Sequence, residues 1–183
     1  MIRIKRKKSH RPSIKYKNNP NKGKDKLDHH CEELIKAFNS DVANYSSGKS
    51  KLPFNSSIYG DQAIRKKLTS LQHGKCCYCE KKLDTADVEH FRPKSSYRSD
   101  RNDIKRYPGY YSLAYSWENL LLACRGCNLN KSDIFPIEHK QNRSVHHYED
   151  YKREMPLVIN PTKNRPKRYL KFSGATIIPK NKR

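Results

Sequence analysis

A chain of 183 residues is long enough for one domain with a modest core and too short for two of full size. Hydrophobic residues make up 34% and charged residues 32%, so the core is small for the length and something besides apolar burial must help hold it; the six cysteines are candidates. The formal net charge of +22 draws polyanions by Coulomb steering and counterion release, which puts nucleic acid first among partners, and the absence of any run of about 18 apolar residues excludes a membrane-spanning helix.

The charge is unevenly spread. Residues 1–27 hold eleven Lys/Arg against one acid, residues 162–183 hold eight against none, and the stretch between carries 21 basic and 17 acidic residues. Two basic arms therefore flank a nearly balanced body; such arms are either solvated or phosphate-binding. M-I-R-I-K-R-K-K has no apolar signal core, so the chain reads as cytoplasmic, where thiols stay reduced and clustered cysteines serve as metal ligands more often than as disulfides.

In chain order, M-I-R-I-K-R alternates like a short strand, and the lysine-rich, proline-punctuated residues 7–26 complete a basic, flexible N-terminal arm over 1–26. Leu27, Cys31, Leu34, Ile35 and Phe38 recur at helical spacing behind an acid-rich first turn, so residues 27–57 comprise an amphipathic helix and a Ser/Gly/Asn-rich connection. Cys31 falls on the apolar face and reads as core. A second helix is expected from Asp61 to His73, with Asp61 as its cap, Ile64, Leu68 and Leu71 as its buried stripe, and Gly74 able to end it in a left-handed conformation. Residues 83–91 fit a hairpin strand, and 92–107 a polar loop carrying Arg92, Lys94, Arg98, Arg101, Lys105 and Arg106 as candidate phosphate ligands. P-G-Y-Y-S-L-A-Y-S-W suits a packed turn or short helix, residues 119–123 a buried strand and 125–133 a helix. The tyrosines of this region either stack on bases or pack the small core. The main domain is expected over 58–161, closed by P-L-V-I-N-P, with a basic C-terminal tail over 162–183.

Cys76 and Cys79 form one C-x-x-C, and Cys124 and Cys127 another. Each knuckle supplies two corners of a tetrahedron, so together they make a closed structural Zn²⁺ site, which has no open position for hydrolysis and serves as a clamp. Cys77, inside the first knuckle, is left as packing.

The clamp brackets D-V-E-H-F-R-P-K-S. If 83–91 pairs with 119–123 and a helix from about 125 crosses them, Glu89, His90 and Asn128 face one another at the strand end and helix start. Metal-assisted phosphodiester hydrolysis needs such a set: oxygen ligands for a hard cation, a histidine to deprotonate water, and cations to hold phosphate. Taken alone, Glu89-His90 also suits a solvated strand edge, and Asn128 a plain helix cap.

K-C-C-Y-C-E, V-E-H-F-R-P-K-S and W-E-N-L-L-L-A-C-R-G-C-N-L-N-K together resemble HNH endonucleases of the ββα-metal class, most closely the subgroup that supplies the HNH subunit of Septu and retron-type anti-phage systems. The resemblance covers residues 58–161 and implies an α+β fold with a ββα-metal core beside the four-Cys zinc site. It implies that His90 is the general base, that Glu89, His90 and Asn128 surround a catalytic Mg²⁺ or Mn²⁺, and that Asn119 ties the loop after the first strand and orients the histidine. Lys131 either steadies a phosphate oxygen or is simply solvated. The resemblance also implies an ATPase partner and, in a retron setting, a reverse transcriptase with its noncoding DNA. Two departures from the signature stand out: Glu89 replaces the usual Asp, and Asn128 the final histidine, which favours a hard cation over a tightly held transition metal. DNA is the first substrate expected, because attack by water needs no 2′-hydroxyl; a tRNA-cleaving effector and a non-catalytic zinc-ribbon nucleic-acid-binding protein are the alternatives.

Overall fold

A computed structural model describes residues 1, 3–17, 21–174 and 176–180, with the side chain of Phe172 not described. The expected N-terminal strand includes position 2 and the expected arm includes 18–20, while the C-terminal tail includes 175 and 181–183; these positions lie outside the described residues.

Helix α1, Lys26–Ser40, begins one residue before the expected stripe because Asp25 caps it, its carboxylate accepting from the Leu27 and Asp28 amides. The stripe buries Leu27, Leu34 and Phe38, and half-buried Cys31 donates to the Ser112 carbonyl. Short helices α2 (Val42–Ser47) and α3 (Ser56–Tyr59) fill the connection that composition alone suggested was irregular. Helix α4, Gln62–Leu71, is capped by Asp61, and the chain leaves it through His73 and Gly74, both at positive φ.

The expected hairpin strand contracts to β1, Asp87–His90, paired antiparallel with β2, Leu120–Ala123, in the register Glu89↔Leu121 and His90↔Leu120. Asn119 belongs to a 3₁₀ turn, Trp117–Asn119, just before β2. Helix α5, Arg125–Lys131, follows with Cys124 as its N-cap residue. A second ribbon pairs β3, Leu170–Ser173, with β4, Thr176–Pro179.

The all-apolar β2 is explained by a core on each of its faces. Leu120 and Leu122 join Val88 against α1, α3, α4 and the aromatic stretch Tyr111, Tyr115 and Trp117. Leu121 and Ala123 point the other way, into a second cluster with Phe91, Tyr110, Phe135 and Ile137 that abuts the cysteines. A strand buried on both sides loses the alternation of a half-exposed one and reads as a continuous run. Tyr110, Tyr111 and Tyr115 are fully buried, so they pack the core rather than a base.

The basic N-terminal segment is laid across this body. Ile4 and Ile14 are buried, the Ile4 amide donates to the Pro161 carbonyl at 2.8 Å, and the terminal ammonium pairs with Glu80. Arg6 lies over the Trp117 ring and donates to the carbonyls of Trp117 and Leu120, pinning the entry to β2.

A cysteine cluster beside a buried acid and histidine

The sulfur atoms of Cys76, Cys79, Cys124 and Cys127 lie within 4.8 Å of one another. A tetrahedron with Zn–S bonds near 2.3 Å has sulfur–sulfur edges of about 3.8 Å; Cys79 and Cys124 stand at 3.8 Å. The four thiols are thus placed to hold one structural metal ion such as zinc. The knuckle is also primed electrically. Cys76 is held far down, to about 3, by hydrogen bonding from Cys77 and by the amides of Cys124, Cys79 and Tyr78, which favour a thiolate. One of these, the Cys124 N–H, lies 3.3 Å from the Cys76 sulfur and joins the two knuckles directly. Burial pushes the Cys77 thiol up, in keeping with its expected role as packing.

The same knuckle touches the acid. The Tyr78 hydroxyl donates to Glu89 Oε1 at 3.1 Å, and the Lys131 ammonium sits 2.7 Å from that oxygen while donating to the His90 carbonyl at 3.0 Å. Glu89 is 3% exposed, and burial raises its pKa against the opposing pull of Lys131 and Lys94. These interactions all fall on Oε1. Among the described residues, Oε2 is the carboxylate oxygen left to offer a cation.

His90, 7% exposed, turns to the other face of β1, where its ring meets Tyr59 edge-on and Nε2 lies 2.9 Å from the Ala114 carbonyl. A carbonyl oxygen can only accept, so Nε2 carries the hydrogen and Nδ1 of the neutral ring keeps its lone pair. Burial, reinforced by Lys94 and Lys131, lowers the histidine to about 3 and keeps it neutral. Lys131 reaches both the Glu89 carboxylate and the His90 carbonyl, and Lys94 lies over the Tyr59 ring that meets His90, so acid, histidine and lysines sit at one end of the ribbon.

The expected direct meeting of Glu89, His90 and Asn128 is corrected in its details. Side chains alternate along a strand, so Asp87 and Glu89 share the face toward α5 while His90 takes the opposite one. On α5, Asn128 and Lys131 lie one turn apart and meet that pair in order. Asn128 Nδ2 donates to Asp87 Oδ2 at 3.0 Å, and Lys131 takes Glu89. An amide that spends its nitrogen on Asp87 has its Oδ1 available as a neutral oxygen ligand. Motif and spacing do not single out Asp87 or Tyr78. The period-2 pattern next to Glu89 could have flagged Asp87, whereas only the folded knuckle brings Tyr78 in.

Asn119 is buried and ties three stretches of chain together. Its Oδ1 accepts from the Arg92 amide at 2.8 Å, and its Nδ2 donates to the carbonyls of Arg92 and Leu113 at 3.0 and 3.1 Å. Its own carbonyl accepts from Phe91 at 2.9 Å, so the loop leaving β1 has one fixed course.

Most cations of the 92–106 loop already have partners within the chain, although Arg101 and Lys105 remain exposed. Arg92 is 6% exposed and pairs with fully buried Glu154 at 2.8 Å inside a cage of Phe91, Tyr110, Phe135 and Tyr151 rings. Arg98 and Lys105 share Asp133, Arg106 pairs with Asp103, and Arg101 donates to Asn130. Lys94 leans over the Phe54 and Tyr59 rings beside the acid and histidine. Paired guanidinium groups hold the loop's shape; Arg92 in particular is structural here, because Glu154 and the rings enclose it.

The chain is similar to two curated proteins that share the name Septu protein PtuB. One, from Bacillus mycoides (strain KBAB4), is 38% identical over 132 residues, which cover 70% of this chain and 44% of that protein. The other, from Bacillus thuringiensis, is 30% identical over 120 residues, covering 63% of this chain and 35% of that protein. The chain thus spans less than half the length of the curated relatives it matches. No family model matches the sequence, and no solved structure does.

Proposed function

We propose that the chain is the nuclease component of a Septu-type anti-phage defence system, a metal-dependent endonuclease that hydrolyses phosphodiester bonds, DNA first. The observation that carries this reading is the placement of His90: Nε2 faces the Ala114 carbonyl at 2.9 Å, so the neutral ring keeps its Nδ1 lone pair, one residue along β1 from the buried carboxylate of Glu89.

The donor set suits a hard divalent cation such as Mg²⁺ or Mn²⁺. Glu89 Oε2 and Asn128 Oδ1 would be its oxygen ligands, and Asp87 would add negative charge beside them. Such a cation, when bound, polarises the scissile phosphate and stabilises charge on the leaving 3′ oxygen. Nδ1 of His90 takes a proton from the attacking water, whose oxygen bonds to phosphorus as the 3′ oxygen leaves. Tyr78 and Lys131 hold one oxygen of Glu89 in place, and Asn119 fixes the loop that follows His90. The cysteine cluster, closed once four thiolates hold one ion, positions rather than catalyses.

Within such a system the nuclease works with an ATPase partner that gates it and, in a retron setting, with a reverse transcriptase and its noncoding DNA. The similarity to proteins named for Septu supports the defence role. Cleavage of plasmid DNA and of total tRNA by the purified chain, with and without Mg²⁺ or Mn²⁺, tests the activity. Tight nucleic-acid binding without cleavage under any metal, alone or with its genomic neighbours, would favour a non-catalytic zinc module.

A further inference from the structure

We propose that the phosphodiester backbone of the bound nucleic acid is gripped by a cleft at the N-terminal segment, floored by Trp117 and edged by Lys7, Lys8 and Lys163, and not chiefly by the 92–106 loop. The cleft, of about 160 Å³, is lined by these residues with Arg6, Glu118 and Thr162. A larger groove of about 530 Å³ shares Lys8, Trp117 and Glu118 with it and is lined further by Arg11 and by Leu27, Asp28 and Cys31 of α1. Two neighbouring depressions that share a basic edge suit a polymer better than a single small anion.

Two observations point to an anionic occupant. The first is charge left over: in the 92–106 loop Arg92, Arg98, Lys105 and Arg106 are paired with Glu154, Asp133 and Asp103, which leaves Lys94 and Arg101 without an ion pair, whereas at the cleft Lys7, Lys8 and Lys163 are all exposed and have no ion-pair partner among the described residues. Glu118 and Asp28 are the acids lining the cleft and groove, and Asp28 is already paired with Arg11. The second is a pair of buried donors without acceptors. Trp117, 4% exposed, has an Nε1–H with no hydrogen-bond partner, and so does Nε of the Arg6 stacked on it. A buried donor without a partner is costly, and since both residues line the cleft, a phosphate oxygen that displaces the groups covering these atoms supplies the acceptor they lack. Because Trp117 is buried, bases cannot stack on it; the cleft reads phosphate and is indifferent to sequence.

Trp117 is the only tryptophan of the chain, so tryptophan fluorescence comes from the wall that this cleft shares with the larger groove. The full chain is titrated with a duplex DNA oligonucleotide, with tRNA and with inorganic phosphate while Trp117 emission and the anisotropy of labelled nucleic acid are followed together. The expected result is a saturable change in Trp117 emission that tracks binding of DNA or RNA and reverses with salt; inorganic phosphate competes only at far higher concentration. Lys8→Glu with Lys163→Glu should weaken binding at least tenfold and lower the slope of log affinity against log salt by about two, roughly one for each phosphate that is no longer neutralised. Lys49→Glu with Lys51→Glu, exposed in the stretch between α2 and α3, supplies the same charge change elsewhere and should cost clearly less, while Glu118→Gln should tighten binding. An unchanged Trp117 signal through saturation, or equal losses from both pairs of reversals, overturns the proposal. None of these readouts requires cleavage, so they stand apart from the nuclease reading.

Discussion

The Lys131 ammonium stands 2.7 Å from Glu89 Oε1, the counter-charge of a carboxylate that is 3% exposed. A buried acid with its partner removed costs about 3–5 kcal/mol. Lys131→Met should therefore lower the melting temperature by about 6–20 °C in divalent-free buffer, at roughly 2–4 °C per kcal/mol for a chain of this size. Mn²⁺ should restore more of that loss than it adds to the parent, because the cation replaces the missing charge at Glu89. Thermal melts with and without Mn²⁺ check this; equal metal shifts in the two proteins would remove Glu89 from the cation site.

Tyr78 links the cysteine knuckle to the same oxygen. Tyr78→Phe deletes one hydroxyl and keeps the ring, so zinc content and fold should be retained. The affinity for Mn²⁺, read by electron paramagnetic resonance, should fall about tenfold, the lower end of the cost of losing a group that orients a metal ligand. An unchanged Mn²⁺ affinity would leave Tyr78 a packing residue.

The cysteine cluster should carry much of the folding free energy. Structural zinc contributes on the order of 10 kcal/mol in small zinc domains, more than the 5–15 kcal/mol of a typical fold can easily spare. Cys124→Ser, or a strong chelator, should abolish cooperative unfolding, whereas Cys77→Ser should keep one bound zinc per chain. Metal analysis alongside circular dichroism separates the two.

Arg92 and Glu154 form a buried pair whose partners are 62 residues apart in sequence. Arg92→Met alone should cost about 3–5 kcal/mol by stranding the carboxylate, and adding Glu154→Gln should cost less than the sum of the two single changes. Denaturant unfolding of all four proteins gives the coupling. Strict additivity would show that the pair does not act as a unit.

What is readable from sequence divides along the range of the interactions. The stripe of Leu27, Leu34 and Phe38, the Asp61 cap and the apolar Leu120–Ala123 run are local patterns, and each appears where its period or cap places it. The cysteine cluster is legible although its halves are far apart, because C-x-x-C spacing is itself the ligand geometry. The site around Glu89 is legible only in part. The pairing of Asn128 with Asp87, and of Lys131 with Glu89, depends on how α5 is phased against β1, which no local pattern encodes. Arg92 resembles a phosphate ligand in sequence because its neighbours are basic and polar; Glu154, supplied from a distant segment, turns it inward. The N-terminal arm looks free for the same reason, and Pro161, Glu80 and Trp117 are what receive it.

The most direct test of the nuclease reading is His90→Ala, assayed for cleavage and for binding on the same nucleic acid. The ring's role as base predicts that metal-dependent cleavage falls by about two to four orders of magnitude while nucleic-acid affinity and zinc content stay at parental values. Undiminished cleavage by a folded His90→Ala protein would contradict the assignment of the base and, with it, the chemical centre described at the end of β1.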